Sequence, residues 1–119
     1  MAATGILNHR ELCQASGTHS ALELGEYLAV EDGDQVVVLP IPRAVLHIGR
    51  GPAAGLTLDD ATVSRRHALI VHDDEGTHIL DDRSLNGLFI AGRRVSAATL
   101  RDGDVIELGR VRLRYLRRT

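Results

Sequence analysis

From Gly25 onward, apolar and polar positions alternate with a period of two, and turn residues interrupt the pattern at short intervals. That period sends successive side chains to opposite faces of a strand. Tyr27 and Ala29 lead into Glu31-Asp32-Gly33-Asp34, a strand closed by a tight turn. Gln35–Leu39 is β-branched and apolar, and Pro40 and Pro42 end it or confine it to an edge, because proline cannot donate to a ladder. Val45–Ile48, closed by Gly49, is a further strand, and Leu56 and Leu58 flank Thr57 in a short one. Ala68–His72 is a continuous apolar run that Asp73-Asp74-Glu75-Gly76 turns back into His78–Leu80 as a hairpin. Leu88–Ile90 follows Asn86-Gly87, and Ala91-Gly92 turns the chain again. Val105–Leu108 and Val111–Leu116 pair across Gly109-Arg110; in the second, Val111, Leu113 and Tyr115 alternate with Arg112 and Arg114 as a half-buried face.

Residues 1–24 read differently. Small and polar residues are scattered from His9 to Ser20, and Ser16-Gly17-Thr18 breaks any helical turn around His9–Gln14. The pattern predicts an N-terminal tail over 1–24, flexible or loosely docked, and one all-β domain over 25–119. Many short strands with closely spaced turns point to an antiparallel β-sandwich or barrel. No strand-helix-strand unit occurs, which excludes the α/β nucleotide-binding folds.

Composition narrows the function classes. The formal net charge is −2, and nothing favours nonspecific attraction to nucleic acid or an anionic membrane. Aromatic residues are only 3% of the chain, so the stacking platforms of single-strand binders are missing. One cysteine, Cys13, rules out an intramolecular disulfide framework. His9, His19, His47, His72 and His78 have no metal-ligand spacing, so no metal and no cofactor is expected. The sequence has neither a membrane-length apolar run nor a secretory leader, and a cytoplasmic domain is the default. All 14 basic residues are arginine. A genome rich in G and C accounts for that better than a need for guanidinium forks.

The candidate chemistry lies in loops, where a rigid sandwich carries its binding residues. Gly49-Arg50 follows one strand, Ser64-Arg65-Arg66-His67 precedes the next, and Ser84-Leu85-Asn86-Gly87 precedes Leu88. A phosphate ester carries close to two negative charges and three strong acceptor oxygens. It calls for a bidentate guanidinium, hydroxyl donors and loop amides. Arg50 offers the fork, Ser64 a hydroxyl and Arg65 a second cation, while the Asn86 amide can both donate to and accept from a peptide backbone. Asp59-Asp60 and Asp81-Asp82 read as turn residues.

Gly49-Arg50, Ser64-x-x-His67 and Asn86-Gly87, in this order and at these separations, resemble the forkhead-associated (FHA) domain. The stretches Leu58–Ala68, Ile90–Val95 and Leu100–Ile106 continue the likeness, which covers about 25–117. The resemblance implies a two-sheet antiparallel β-sandwich whose loops bind phosphothreonine peptides without catalysis. It implies Arg50 and Ser64 as main phosphate ligands, Arg65 as an added contact, and Asn86 as the partner of the peptide backbone. Gly49, His67 and Gly87 would shape the loops. The implied partner is a phosphothreonine-containing protein, a Ser/Thr kinase or its substrate.

Two departures bear on this expectation. Leu85 stands where many members carry a phosphate-reaching Thr or Ser, and Gly51–Gly55 lacks the usual Asp or Asn. Leu85 motivates the alternative of a related scaffold that binds an unphosphorylated protein. A hydrolase using Ser64, His67 and Asp60 is disfavoured, because no nucleophile-elbow motif is present. In the tail, Thr4 and Thr18 are candidate phosphorylation sites whose modification would let the tail occupy its own domain's site.

Overall fold

The computed structural model describes residues 23–119. Eleven strands follow one another: β1 (Gly25–Asp32), β2 (Gln35–Pro40), β3 (Leu46–Gly49), β4 (Leu56–Thr57), β5 (Ala68–Asp73), β6 (Gly76–Asp81), β7 (Leu88–Ile90), β8 (Arg93–Val95), β9 (Ala97–Thr99), β10 (Val105–Leu108) and β11 (Val111–Arg118). They form two sheets, one in the order β2-β1-β11-β10-β7-β8 and the other β4-β3-β5-β6-β9. The expected β-sandwich is therefore present. Pro40 both ends β2 and lies on a sheet edge.

Alternation decides which side chains enter the core. On β11, Val111, Leu113 and Tyr115 are buried while Arg112 and Arg114 face solvent. Val30, Leu113, Ile106 and Ile90 form a row across the larger sheet through their pairing register. Ile70 and Ile79 are paired on the smaller sheet and belong to the same buried cluster. Each fully buried aliphatic side chain contributes about 1.5–3 kcal/mol relative to exposure, so such rows hold the sheets together without large aromatics. Tyr115 is the aromatic exception, buried with its hydroxyl bonded to Glu26.

Three features differ from the pattern-based expectation. The strand expected from Val45 begins at Leu46, and Val45 is half-exposed outside it. β8 and β9 follow the Ala91-Gly92 turn where the sequence marked no strand. β4 runs parallel to β3, pairing Ile48 with Leu56 and Gly49 with Thr57, so the sandwich is antiparallel everywhere but here. After Gly49 the chain makes a full loop, turned by the Ala54 N–H donating to the Gly51 carbonyl, and returns in the same direction.

Candidate functional site

Three loops meet at one end of the sandwich: 50–55 after β3, 58–67 before β5, and 82–87 before β7. The β10–β11 turn lies beside them. Close backbone approach begins the assembly. A Cβ on Gly49 would stand 2.2 Å from the Arg65 carbonyl oxygen, so only glycine lets the first two loops come together. They are then stitched by the Arg50 N–H on the Ser64 carbonyl (2.9 Å) and the Gly51 N–H on the Arg65 carbonyl (3.1 Å).

His67 joins the second loop to the third from beneath. It is fully buried, its Nδ1 accepts the Ser64 N–H (3.1 Å), and its Nε2 contacts the Gly87 carbonyl (2.8 Å). Since Nδ1 accepts, the ring carries its proton on Nε2 and donates to Gly87. Gly87 has φ 90°, a left-handed geometry that favours glycine.

The exposed tips present the polar groups. The Arg50 Nε donates to the Val63 carbonyl (3.0 Å), which fixes the side chain and leaves both Nη groups without a partner among the described residues. The Ser64 Oγ accepts the Leu85 N–H (2.9 Å), so its own proton remains available to an acceptor. Asn86 donates through Nδ2 to the Thr62 carbonyl (2.8 Å), keeping its Oδ1 and second N–H available. Arg65 is exposed on the loop that carries Ser64. Arg50, Ser64, Arg65 and Asn86 are thus brought to one end, with Gly49, His67 and Gly87 beneath them. Thr4 and Thr18 lie outside the described residues.

Several supporting residues carry no motif signal. Thr62 accepts Asn86 through its carbonyl and the Arg110 N–H (2.8 Å) through its hydroxyl, and donates that hydroxyl to Asp60 (2.6 Å). The hydrogen bonds from the Thr62 hydroxyl and N–H hold the Asp60 carboxyl below the usual range. Asp81 accepts the N–H and hydroxyl of Ser84 (2.8 and 3.0 Å), and Ser84 in turn accepts the Gly87 N–H (3.0 Å). Asp60 and Asp81 are the turn residues expected. The Asp81 bonds to Ser84 stay within one loop, whereas the Thr62–Arg110 contact spans 48 positions and has no local signature.

Beside these tips runs a groove of about 570 Å³ whose lining includes Pro52, Ala53, Ala54, Arg65, Arg66 and Asp82. Ser64, His67 and Asp60 do not form a catalytic triad. The His67 ring nitrogens meet backbone groups, and Asp60 is turned to Thr62. Among the described residues no group of His, Cys, Asp and Glu side chains is arranged to hold a metal ion, and no helix is long and apolar enough to cross a membrane.

Residues 46–109 match the FHA domain model. The chain belongs to the FHA domain family. It is 40% identical to the glycogen accumulation regulator GarA of Mycolicibacterium smegmatis, covering 93% of this chain and 75% of that protein. Among solved structures, it resembles a domain studied for phosphothreonine-dependent FHA interactions at 32% identity, with a TM-score of 0.73, covering 79% of this chain and 97% of the other. The FhaA FHA domain, solved in complex with the intracellular domain of Rv3910, is 33% identical with a TM-score of 0.71, covering 76% and 99% of the two chains. The chain spans 8% to 47% of the length of the first curated relatives it matches.

Proposed function

We propose that this FHA domain is a non-catalytic adaptor that binds a phosphothreonine-containing segment of a protein kinase or of its substrate. The observation that carries the reading is the state of the loop tips. Arg50 is held by Val63 with its Nη groups available, and Ser64 is held by Leu85 with its hydroxyl proton available. That is a preorganised pair of donors for a phosphate, one charged and one neutral. Asn86, steadied by Thr62, would orient the peptide backbone, and Arg65 would add charge. The groove along Pro52–Ala54 would take small apolar side chains flanking the phosphothreonine. A structural relative described by phosphothreonine dependence supports the same reading. A cytoplasmic setting, where protein kinases act, accords with it.

The deciding experiment is calorimetric titration with a degenerate phosphothreonine peptide pool against its phosphoserine and unphosphorylated counterparts. Binding confined to the phosphothreonine pool is expected, and Arg50→Ala should lose most of it while the fold remains. Equal binding of all three pools would support the second reading, a phosphate-independent scaffold. One observation favours that alternative: Leu85 is 85% exposed at the rim of the site, where it offers an apolar contact. If Thr4 or Thr18 is phosphorylated in the cell, the chain's own tail becomes a competing ligand; mass spectrometry that finds neither modified removes that possibility.

A further inference from the structure

The loop before β7 holds Arg83 at φ 61°, a left-handed backbone that glycine takes freely and that side chains rarely adopt. Asp81 builds this turn through its two bonds to Ser84, so the bend does not need the Arg83 side chain. That side chain is exposed and contributes to a concavity of about 300 Å³ shared with Ser64, Arg65, Arg66 and Asp82. Arg66 is fixed there by a forked pair with Asp82, Nε to Oδ2 at 3.1 Å and Nη2 to Oδ1 at 3.3 Å. Three guanidinium groups and one carboxylate leave a surplus of positive charge in the concavity. Asp60 and Asp81 face their own turns. The chain as a whole is at −2, so this surplus is local. One phosphothreonine brings about 1.5–2 negative charges. Matched to Arg50, Ser64 and Arg65, it leaves Arg83 without a counter-charge and Arg66 with only Asp82.

We propose that Arg83, with Arg66, forms a second anion subsite beside Ser64 and Arg65, and that its ligand is a second phosphorylated side chain on the same peptide. The proposal rests on the phosphopeptide reading of the first site. A phosphoryl group offers three acceptor oxygens to guanidinium forks, and a side-chain carboxylate only two. The second phosphate therefore gains more than glutamate would at the same position.

The test is calorimetric titration of the full chain with matched peptides carrying a phosphothreonine alone, with a second phosphothreonine, or with glutamate in its place. The second position is scanned through the residues on either side. At its best position the second phosphate should tighten binding about tenfold or more, with glutamate recovering only a minor part. Arg83→Gln should erase the gain and leave affinity for the singly phosphorylated peptide within about twofold. Arg83→Gly suits the positive φ, secures a folded comparison and should behave the same way. The subsite is overturned if no position gains from the second phosphate, if the gain survives both variants, or if glutamate reproduces it in full. A chain that ignores even the singly phosphorylated peptide overturns the reading of the first site as well, and that failure appears in the first titration.

Discussion

His67 and Gly87 are 20 residues apart in the chain, yet the buried imidazole donates through Nε2 to the Gly87 carbonyl at 2.8 Å. The opposite ring nitrogen takes the Ser64 N–H, so one side chain sets the spacing of two loops. His67→Ala is expected to leave both backbone groups unsatisfied, at about 1–3 kcal/mol for each buried group that water cannot reach. The melting temperature should fall by several degrees and phosphopeptide affinity should fall with it. Calorimetric scans with parallel binding titrations check this; weaker binding at an unchanged melting temperature would make His67 a ligand contact instead.

Gly49→Ala is expected to be among the most damaging small substitutions in the domain. Its methyl would lie 2.2 Å from the Arg65 carbonyl oxygen, and the neighbour is backbone that cannot swing aside. Overpacking of this kind costs roughly 1–3 kcal/mol or more, and relief would require the first two loops to part. Urea unfolding should register the lost stability. The loop amides of residues 49–51 and 64–67 should move most in an NMR spectrum of whatever folds.

Leu85→Thr separates the two functional readings. At 85% exposure the side chain holds nothing together, so stability should change by no more than about 0.5 kcal/mol. On the phosphothreonine reading, the new hydroxyl adds a bond to a charged group worth about 1.5–3 kcal/mol, or roughly tenfold or more in affinity. Titration with one phosphothreonine peptide measures it. A loss of binding on removing Leu85 would favour the apolar-contact reading.

The far end of the sandwich predicts the pH response. The Glu26 carboxylate accepts the hydroxyls of Thr77 and Tyr115. Burial alone would raise its pKa, but these bonds, with His72 and Arg117 nearby, outweigh it and hold Glu26 below the ordinary glutamate range. Tyr115 is pushed up to about 12, first by burial and then by its bond to Glu26. A depressed carboxylate stabilises the fold above its ordinary pKa, and that contribution is lost as pH falls through the lowered value. A raised phenol stabilises below its ordinary value of 10.0, and the contribution is lost as pH climbs toward about 12. Melting temperature should therefore hold through neutrality and drop on both flanks. Tyr115→Phe should weaken the alkaline drop and cost about 1.5–3 kcal/mol at neutral pH, because Glu26 loses a donor. An alkaline limb that persists unchanged in this variant would assign it to another group.

The sandwich was legible wherever alternation ran long enough to count, as in β11, where Val111, Leu113 and Tyr115 enter the core between exposed arginines. β8 and β9 were not, because Arg93-Arg94-Val95 and Ala97-Ala98-Thr99 are too short for a period and exist as strands through ladders to β7 and β6. The parallel β3–β4 pair was hidden for a related reason: two residues, Leu56 and Thr57, cannot announce their direction. Arg50, Ser64 and Asn86 stood out as a spaced motif, whereas Thr62 did not, since its partners Asn86 and Arg110 lie 24 and 48 positions away. Arg83 gave no signal either. Its interest comes from a backbone angle, which no residue pattern displays.

β1 and β11 are antiparallel neighbours, with Gly25 opposite Arg118, while the Gly33 turn sits at the other end with Asp60 and Arg110. A tension applied between those two positions would load the ladder one rung at a time, opening it like a zipper instead of shearing all its rungs at once. The domain should therefore yield to modest pulling force along that seam, starting at the end remote from the ligand loops, and a bound phosphopeptide should do little to strengthen its first rungs.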